Sequence, residues 1–283
     1  MVEVSIIIPF KDLETLQRNV LNSFEKNQDG IEAIFVHDSK TPLKQEQRQS
    51  LVRNNFNSKY MYGDFNSPGL ARNRGLQEAS GKWIVFWDSD DLGYPLVVSE
   101  ILTSSTANVI VANFNVSSNG MLLERSKKQN KVNFSQIVAN PGLWRFIMSS
   151  EVVKSHRFRD FKLGEDLIFL IECGALDEEI GKTQKVIYEY RISSMQSTKN
   201  MDIQPELEKL VLALVEVVSR HDSDSRLAYG IVWRQAMSLL KISRGKKSLV
   251  VFRTLFSLLK SLNLRRRVLF CKSLFLAGSK GSF

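Results

Sequence analysis

The stretch Ser67–Asp91, SPGLARNRGLQEASGKWIVFWDSDD, constrains this chain more than any other part of it. It reads as a capped amphipathic helix, a turn, a short apolar strand and then three carboxylates within four residues. Ser67 before Pro68 is a helix start, with a side-chain oxygen to cap free backbone N–H groups and a proline in the one turn that needs no donor. Leu70, Asn73, Leu76 and Ala79 share one face by their spacing, Arg72 and Arg74 point elsewhere, and Gly81 supplies the stop. Lys82 to Trp87 is almost entirely apolar and aromatic, which for so short a run predicts a strand buried on both faces of a parallel sheet. Asp88, Ser89, Asp90 and Asp91 then fall where that strand ends.

Ligands bind open α/β sheets at the carboxyl ends of the strands, and carboxylates crowded there repel one another unless a cation or hydrogen-bond donors offset the charge. Hard oxygen ligands favour Mg2+ or Mn2+, held by one or two carboxylates with phosphate oxygens completing the shell. Taken alone, DSDD is more often a solvated acidic turn than a ligand site. Its place after a buried strand is what favours the ligand site.

The rest of the chain supplies a frame for that corner. VSIIIPF (4–10) reads as a strand ending at Pro9, and Leu13, Leu16, Val20 and Phe24 follow at helical spacing. Ile31–Val36 is the next strand, so the start is a βαβ unit with a right-handed crossover. Asp38 lies at the carboxyl end of that second strand. It can accept hydrogen bonds from a nucleobase or ribose, or cap the following turn. A polar helix over 41–54, a strand at Tyr60–Tyr62, a helix through Leu96, Val97, Ile101 and Leu102, and a strand over 107–116 complete a doubly wound α/β order.

The pattern loosens at 117–130, where Asn119-Gly120 signals a turn. Leu143–Val153 reads as a helix. Gly164 precedes the acidic pair Glu165-Asp166 and a helix with an apolar face from Leu167 to Leu170; acids in a first helical turn are favoured by the dipole whatever else they do. Val186–Ile192 is a further strand. Two cysteines, Cys173 and Cys271, are too few for a disulfide framework and read as buried thiols in a reducing compartment. No signal peptide and no apolar run long enough to span a bilayer are visible, which predicts a cytoplasmic protein.

Three landmarks now stand in order: VSIIIPF, then GLARNRGLQEASGKWIVFWDSDD, then GED at 164–166 before an apolar helix. Together they resemble the inverting glycosyltransferases of family 2, which have the GT-A fold, a Rossmann-like doubly wound mixed sheet. The resemblance covers residues 1 to 200: a nucleotide-sugar-binding half over 1–116 and an acceptor-side half over 117–200, with a basic helical region over 201–283 appended. It implies transfer of one sugar from a nucleotide donor, usually UDP-linked, to a hydroxyl of a glycan or lipid-linked acceptor in cell-surface polysaccharide assembly. By position it implies Asp90 and Asp88 as the D-x-D residues on Mn2+ or Mg2+, with Asp88 also near the ribose. Pro9 and Asp38 border the base, Arg72 and Asn73 lie beneath the nucleotide, and Asp166 is the catalytic base beside Glu165. Tyr190-Arg191, followed by Ser193, Ser194 and Ser197, is similar to a segment that closes over the diphosphate. His37 replaces the first of the two aspartates usual at the end of the second strand, and Phe10-Lys11-Asp12 stands in place of a Tyr-Asn pair. The Q-x-x-R-W motif of processive synthases is absent, which implies one sugar per encounter.

Charge separates the two ends of the chain. From Ser225 to Phe283 there are thirteen Lys and Arg and no Asp or Glu, within a total of +9, so the body is slightly acidic. Lys246, Arg253, Lys260 and Arg267 recur every seven residues and are expected on one helical stripe, beside apolar Leu249, Phe252, Leu255, Phe256 and Leu259. A basic amphipathic segment over 245–272 reads as a contact for an anionic membrane surface, on the inner face of the cytoplasmic membrane, or as a hairpin packed on the body. Nucleic-acid binding is suggested by a pI near 9.5, but no recognition motif accompanies the charge and none is expected. A non-catalytic nucleotide-sugar-binding module is the other alternative, and the presence of both D-x-D and E-D speaks against it.

Overall fold

A computed structural model describes residues 1–24, 29–52, 56–118, 121–124, 132–177, 179–192, 202–220 and 225–278. The expected Asn119-Gly120 turn and Ser193, Ser194 and Ser197 lie outside these. The strands are β1 (Val4–Phe10), β2 (Ile31–Asp38), β3 (Asn57–Gly63), β4 (Trp83–Phe86), β5 (Leu92–Gly93), β6 (Val109–Ser118), β7 (Met121–Glu124), β8 (Phe146–Ser149) and β9 (Ile180–Ile192). The helices are α1 (Leu13–Asn19), α2 (Gln45–Val52), α3 (Pro68–Glu78), α4 (Pro95–Leu102), α5 (Phe134–Ala139), α6 (Ser150–Val153), α7 (Glu165–Glu172), α8 (Ile203–Arg220), α9 (Arg226–Ile242), α10 (Ser248–Ser261) and α11 (Leu264–Gly278).

One mixed sheet runs β3-β2-β1-β4-β8-β6-β9-β5, with β7 beside β6. β3, β2, β1 and β4 are parallel, as the alternation of strands and helices predicts. The direction reverses at β8, antiparallel to both β4 and β6. The order turns back on itself between β1 and β4, and this is where open sheets leave a crevice. Pro9 helps to open it. The β1–β4 ladder ends with the Trp87 N–H on the Ile7 carbonyl, two residues before a residue that has no N–H to continue it. Val4, Ile6, Ile7 and Ile8 of β1 and Ala33 to Val36 of β2 are fully buried, as expected for parallel strands covered on both faces. Each of the Val, Ile and Phe side chains among them contributes about 1.5–3 kcal/mol of burial.

Several expectations needed correcting. Leu143–Val153 is a 3₁₀ turn (Leu143–Arg145), then β8, then the single-turn α6; a short fully apolar run has no periodicity to separate strand from helix. In α3 the buried face carries Gly69, Ala71, Arg72, Gly75 and Leu76, so Arg72 points inward. Ser67 has N-cap backbone angles but makes no capping bond, and its buried Oγ has no partner among the described residues. Gly81 is not the helix stop. α3 ends at Glu78, and Gly81 lies so close to β1 that an added Cβ would sit 2.6 Å from the Ser5 nitrogen. Cys173 is a buried free thiol as expected, but Cys271 is exposed.

Grouped by packing, the chain forms two compact units. One holds the whole sheet: Met1–Val132, Leu143–Asp160 and Glu179–Ser194. The other takes Asn133–Gly142, Phe161–Glu178 and Met195–Phe283, so α5 and α7 belong with the C-terminal helices rather than with the sheet. The cause is local for α7. Gly164 has φ +75° and abuts the Leu210 side chain of α8 so closely that an added Cβ would lie 2.5 Å from it. Leu207, Leu210, Val211, Leu214 and Val218 form the buried stripe of α8, at the spacing of an amphipathic helix.

The heptad of basic residues does not form one stripe. α10 ends at Ser261, and Asn263 starts α11 with its Oδ1 accepting the Arg266 N–H at 3.0 Å. Lys246 precedes α10. Arg267 lies on α11 and donates from Nε to the carbonyls of Leu259 and Leu262 at 2.8 and 2.9 Å, closing the end of α10. Arg253 and Lys260 alone of the four share α10.

Candidate functional site

The DSDD segment follows β4 at the crevice, and its three carboxylates have three different environments. Asp88 is half-buried and pairs with the Arg72 guanidinium, Nη2 to Oδ1, at 2.6 Å. Arg72 is brought there by the inward face of α3, and its guanidinium also lies 5.7 Å from the centre of the Phe158 ring. Among the described residues no cation is paired with Asp90, and burial, then the charge of Asp88, push its carboxyl above the usual range. Asp91 is buried and turned into the fold: Tyr188 donates its hydroxyl to Oδ2 at 2.8 Å and the Arg191 backbone N–H donates to Oδ1 at 2.6 Å. Burial, then Asp88 and Asp90, raise it to about 8.

Tyr188 also accepts the Asp88 backbone N–H at 3.1 Å, so one buried phenol fixes both ends of the acidic turn. Sequence reading placed Tyr188 in a strand but not opposite this turn, because no local pattern reports a contact between residues 91 and 188. Asp91 is likewise the carboxylate that sequence left without a task.

At the end of β2, the Asp38 Oδ1 accepts the N–H groups of Phe65 and Asn66 at 2.8 and 2.9 Å. Asp38 thus caps a turn, but the one after β3 rather than the one that follows Asp38. Its buried Oδ2 makes no hydrogen bond among the described residues and faces the Lys11 ammonium at 3.3 Å. Next to it the His37 ring stacks on Phe10, centroids 4.8 Å apart, and burial lowers the His37 pKa, which favours the neutral ring. Tyr60 and the half-exposed Tyr62 extend this aromatic row along the strand ends.

Asn73 is engaged within the protein. Its Nδ2 donates to the Phe158 carbonyl at 2.9 Å and its Oδ1 accepts the Phe158 N–H at 2.7 Å, so the whole amide is committed to holding that chain segment on α3. Asn73→Ala is expected to cost about 1–3 kcal/mol, seen as a lower urea midpoint with an unchanged slope. Arg191, on β9, is tied through Nη1 to the Asn19 Oδ1 at 2.8 Å and through Nε to Glu189 at 3.4 Å.

Glu165 and Asp166 are the first residues of α7, in the helical unit. Glu165 is buried. Asp166 is half-exposed, and its Oδ1 accepts the Leu167 N–H at 2.9 Å. Pro9, Asp38, Arg72, Asn73, Asp88, Asp90 and Arg191 all belong to the sheet unit.

A divalent cation fits this chemistry without a protein cage. Among the described residues no group of three or more His, Cys, Asp or Glu is arranged to hold a metal alone, since Asp91 is spent on Tyr188 and Arg191. Two carboxylates remain. Asp90, driven up by burial and by Asp88, is the environment a cation relieves, and Mg2+ or Mn2+ commonly takes one or two carboxylates and completes its shell with substrate phosphates.

The sequence profile described as glycosyl transferase family 2 matches residues 5–173, more than half the chain. The chain belongs to that family. This glycosyltransferase is 26% identical over 206 residues to an uncharacterized glycosyltransferase of Haemophilus influenzae, a match covering 68% of this chain and 77% of that protein. It is 24% identical over 218 residues to the glycosyltransferase GlyA of Streptococcus pneumoniae serotype 4, spanning 67% of this chain and 30% of that longer protein. Among solved structures, S. aureus TarS 1–349 in complex with UDP-GlcNAc superimposes with a TM-score of 0.68 at 17% identity, over 98% of this chain and 88% of that one. The mannosyltransferase PcManGT from Pyrobaculum calidifontis, in complex with GDP-Man and Mn2+, gives 0.58 at 12% identity, over 97% and 84%. These likenesses establish the GT-A fold for the glycosyltransferase.

Proposed function

We propose that this glycosyltransferase moves one sugar, with inversion, from a UDP-sugar to a hydroxyl of a glycan or lipid-linked acceptor in cell-surface polysaccharide assembly, assisted by Mn2+ or Mg2+. The observation that carries the reading is the division of labour in the acidic turn: Asp91 held inward, Asp88 held by Arg72, and Asp90 destabilised by burial and by Asp88. Asp90, with Asp88, holds the cation, which when bound offsets the charge developing on the leaving diphosphate. Arg72 acts through Asp88 rather than by reaching the phosphates. Asp38 offers its Oδ2 to an N–H of the base, in exchange for the Lys11 contact, beside the aromatic row of Phe10, His37, Tyr60 and Tyr62. Arg191 stays near the donor as part of the strand that anchors Asp91. Asp166 takes the acceptor proton as the new bond forms, and Glu165 supports the turn of helix that presents it.

TarS bound to UDP-GlcNAc and PcManGT bound to GDP-Man and Mn2+ support a nucleotide-sugar donor and a cation as the class. No described helix is long and apolar enough to cross a membrane. Region 245–272 makes the enzyme peripheral, on an anionic inner membrane face. UDP release from a panel of UDP-sugars, with and without Mn2+, tests the proposal. Metal-dependent release with one donor is the expected result. Metal-dependent UDP binding without release from any donor points to a binding module, and neither binding nor release overturns the reading.

A further inference from the structure

We propose that the cleft formed by α9, α10 and α11 receives one hydrocarbon chain of an anionic lipid while α10 lies among the headgroups; this rests on the membrane-contact part of the function proposed above. The cleft measures about 430 Å³ and is lined, among the described residues, by Trp233, Phe252, Leu255, Phe256, Leu259 and Phe270, with Arg253 the one charged residue of that set. Its size is that of a ligand pocket, about 300–1,000 Å³. The atoms that bound it offer no polar surface, so a polar or charged ligand has nothing to bond inside.

The surface beside the cleft says which apolar ligand fits. Leu249, Phe252 and Phe256 lie on one stripe of α10 and remain 60%, 63% and 58% exposed. Arg253 and Lys260 flank that stripe, and the Lys260 ammonium sits 4.6 Å from the centre of the Phe256 ring. On the other face of α10, Val251, Leu255 and Leu258 are buried, so the helix is apolar on two sides and, among the described residues, only one side is covered. Leu264 and Val268 of α11 add further exposed apolar surface, and Arg265 and Lys272 on the same helix are exposed cations. From residue 225 to residue 283 there is no Asp or Glu. Lys247, at the N-cap of α10, is paired with Glu208 of α8 at 2.9 Å, but Arg253, Lys260 and the apolar stripe beside them complement a bilayer surface with anionic headgroups, and a chain drawn from that bilayer matches the open apolar cleft.

The test uses the whole chain with vesicles of phosphatidylglycerol or phosphatidylcholine, each with plain or brominated acyl chains. The expected result is co-sedimentation with phosphatidylglycerol but not phosphatidylcholine, and quenching by brominated chains of a component of emission that vanishes in Trp233→Phe. Leu259→Glu, which puts a charge in the cleft wall, is expected to remove that quenching. It should leave UDP release with a soluble acceptor unchanged, which separates the cleft from the transfer chemistry. Arg253→Glu with Lys260→Glu should weaken vesicle binding at least tenfold. Inorganic phosphate should compete no better than sodium chloride of equal ionic strength; stronger competition would assign the cations to a free phosphate and overturn the lipid. Binding to phosphatidylglycerol without quenching of Trp233 overturns the cleft proposal and leaves membrane contact standing. No vesicle binding, or a stable dimer that hides Trp233 from lipid, overturns both.

Discussion

Asp166→Asn is expected to lower kcat by about 10²–10⁴-fold, the usual contribution of a positioned general base, while UDP binding in the presence of Mn2+ stays within twofold of the parent. The substitution keeps the shape of the side chain and an oxygen to accept the Leu167 N–H, so that hydrogen bond is retained. What disappears is a site for a proton. The loss of charge in a first helical turn costs about 0.3–1 kcal/mol, a small shift in melting temperature beside the catalytic loss. Glu165→Gln is the control: Glu165 is buried and acts on the stability of the helix start, so its variant should melt earlier and lose far less turnover. Equal losses of kcat in both variants would make α7 a structural support and deny Asp166 its role. Undiminished turnover in Asp166→Asn would do the same.

What the sequence revealed follows the range of the forces involved. The parallel strands β1 to β4 and their connecting helices are legible because each is specified by a nearby pattern, an apolar run or a 3.6-residue repeat between turn residues. β8 is not: RFIMSS is equally a helix or a strand, and only its place between β4 and β6 decides. The same limit divides the site. Asp88 and Asp90 follow from their position after a buried strand, whereas Tyr188, which fixes the turn they stand on, is 100 residues from the amide it accepts. Asn73 belongs to the motif by its neighbours, yet its amide is matched to the backbone of Phe158, a contact that no spacing reports. In the basic tail, a sequence period that runs straight through the break at Leu262-Asn263 gave a stripe that the chain does not form. Periodicity describes a helix only after its ends are known.

Asp90→Ala separates function from stability at the acidic turn, and the two are expected to move in opposite directions. Loss of the cation's help with the leaving group removes several kcal/mol of stabilisation, and each 1.36 kcal/mol is tenfold, so turnover should fall by about 10³-fold or more. The fold has no need of this carboxylate. Asp90 is held above its normal range by burial and by Asp88, and it contributes in turn to the repulsion on Asp91. Removing it relieves like-charge strain around Tyr188, and without metal the variant should melt no lower than the parent and by this argument higher. The parent, in contrast, should gain stability when Mn2+ and UDP are added together, since a ligand that binds only the folded state stabilises it by mass action; the variant should lose most of that gain. Asp88→Ala is the companion measurement. It strips Arg72 of its ion pair in a buried position, so it should lower both turnover and stability. If Asp90→Ala melts well below the parent without metal, or keeps Mn2+-dependent turnover, the acidic turn is a structural element and the cation is held elsewhere.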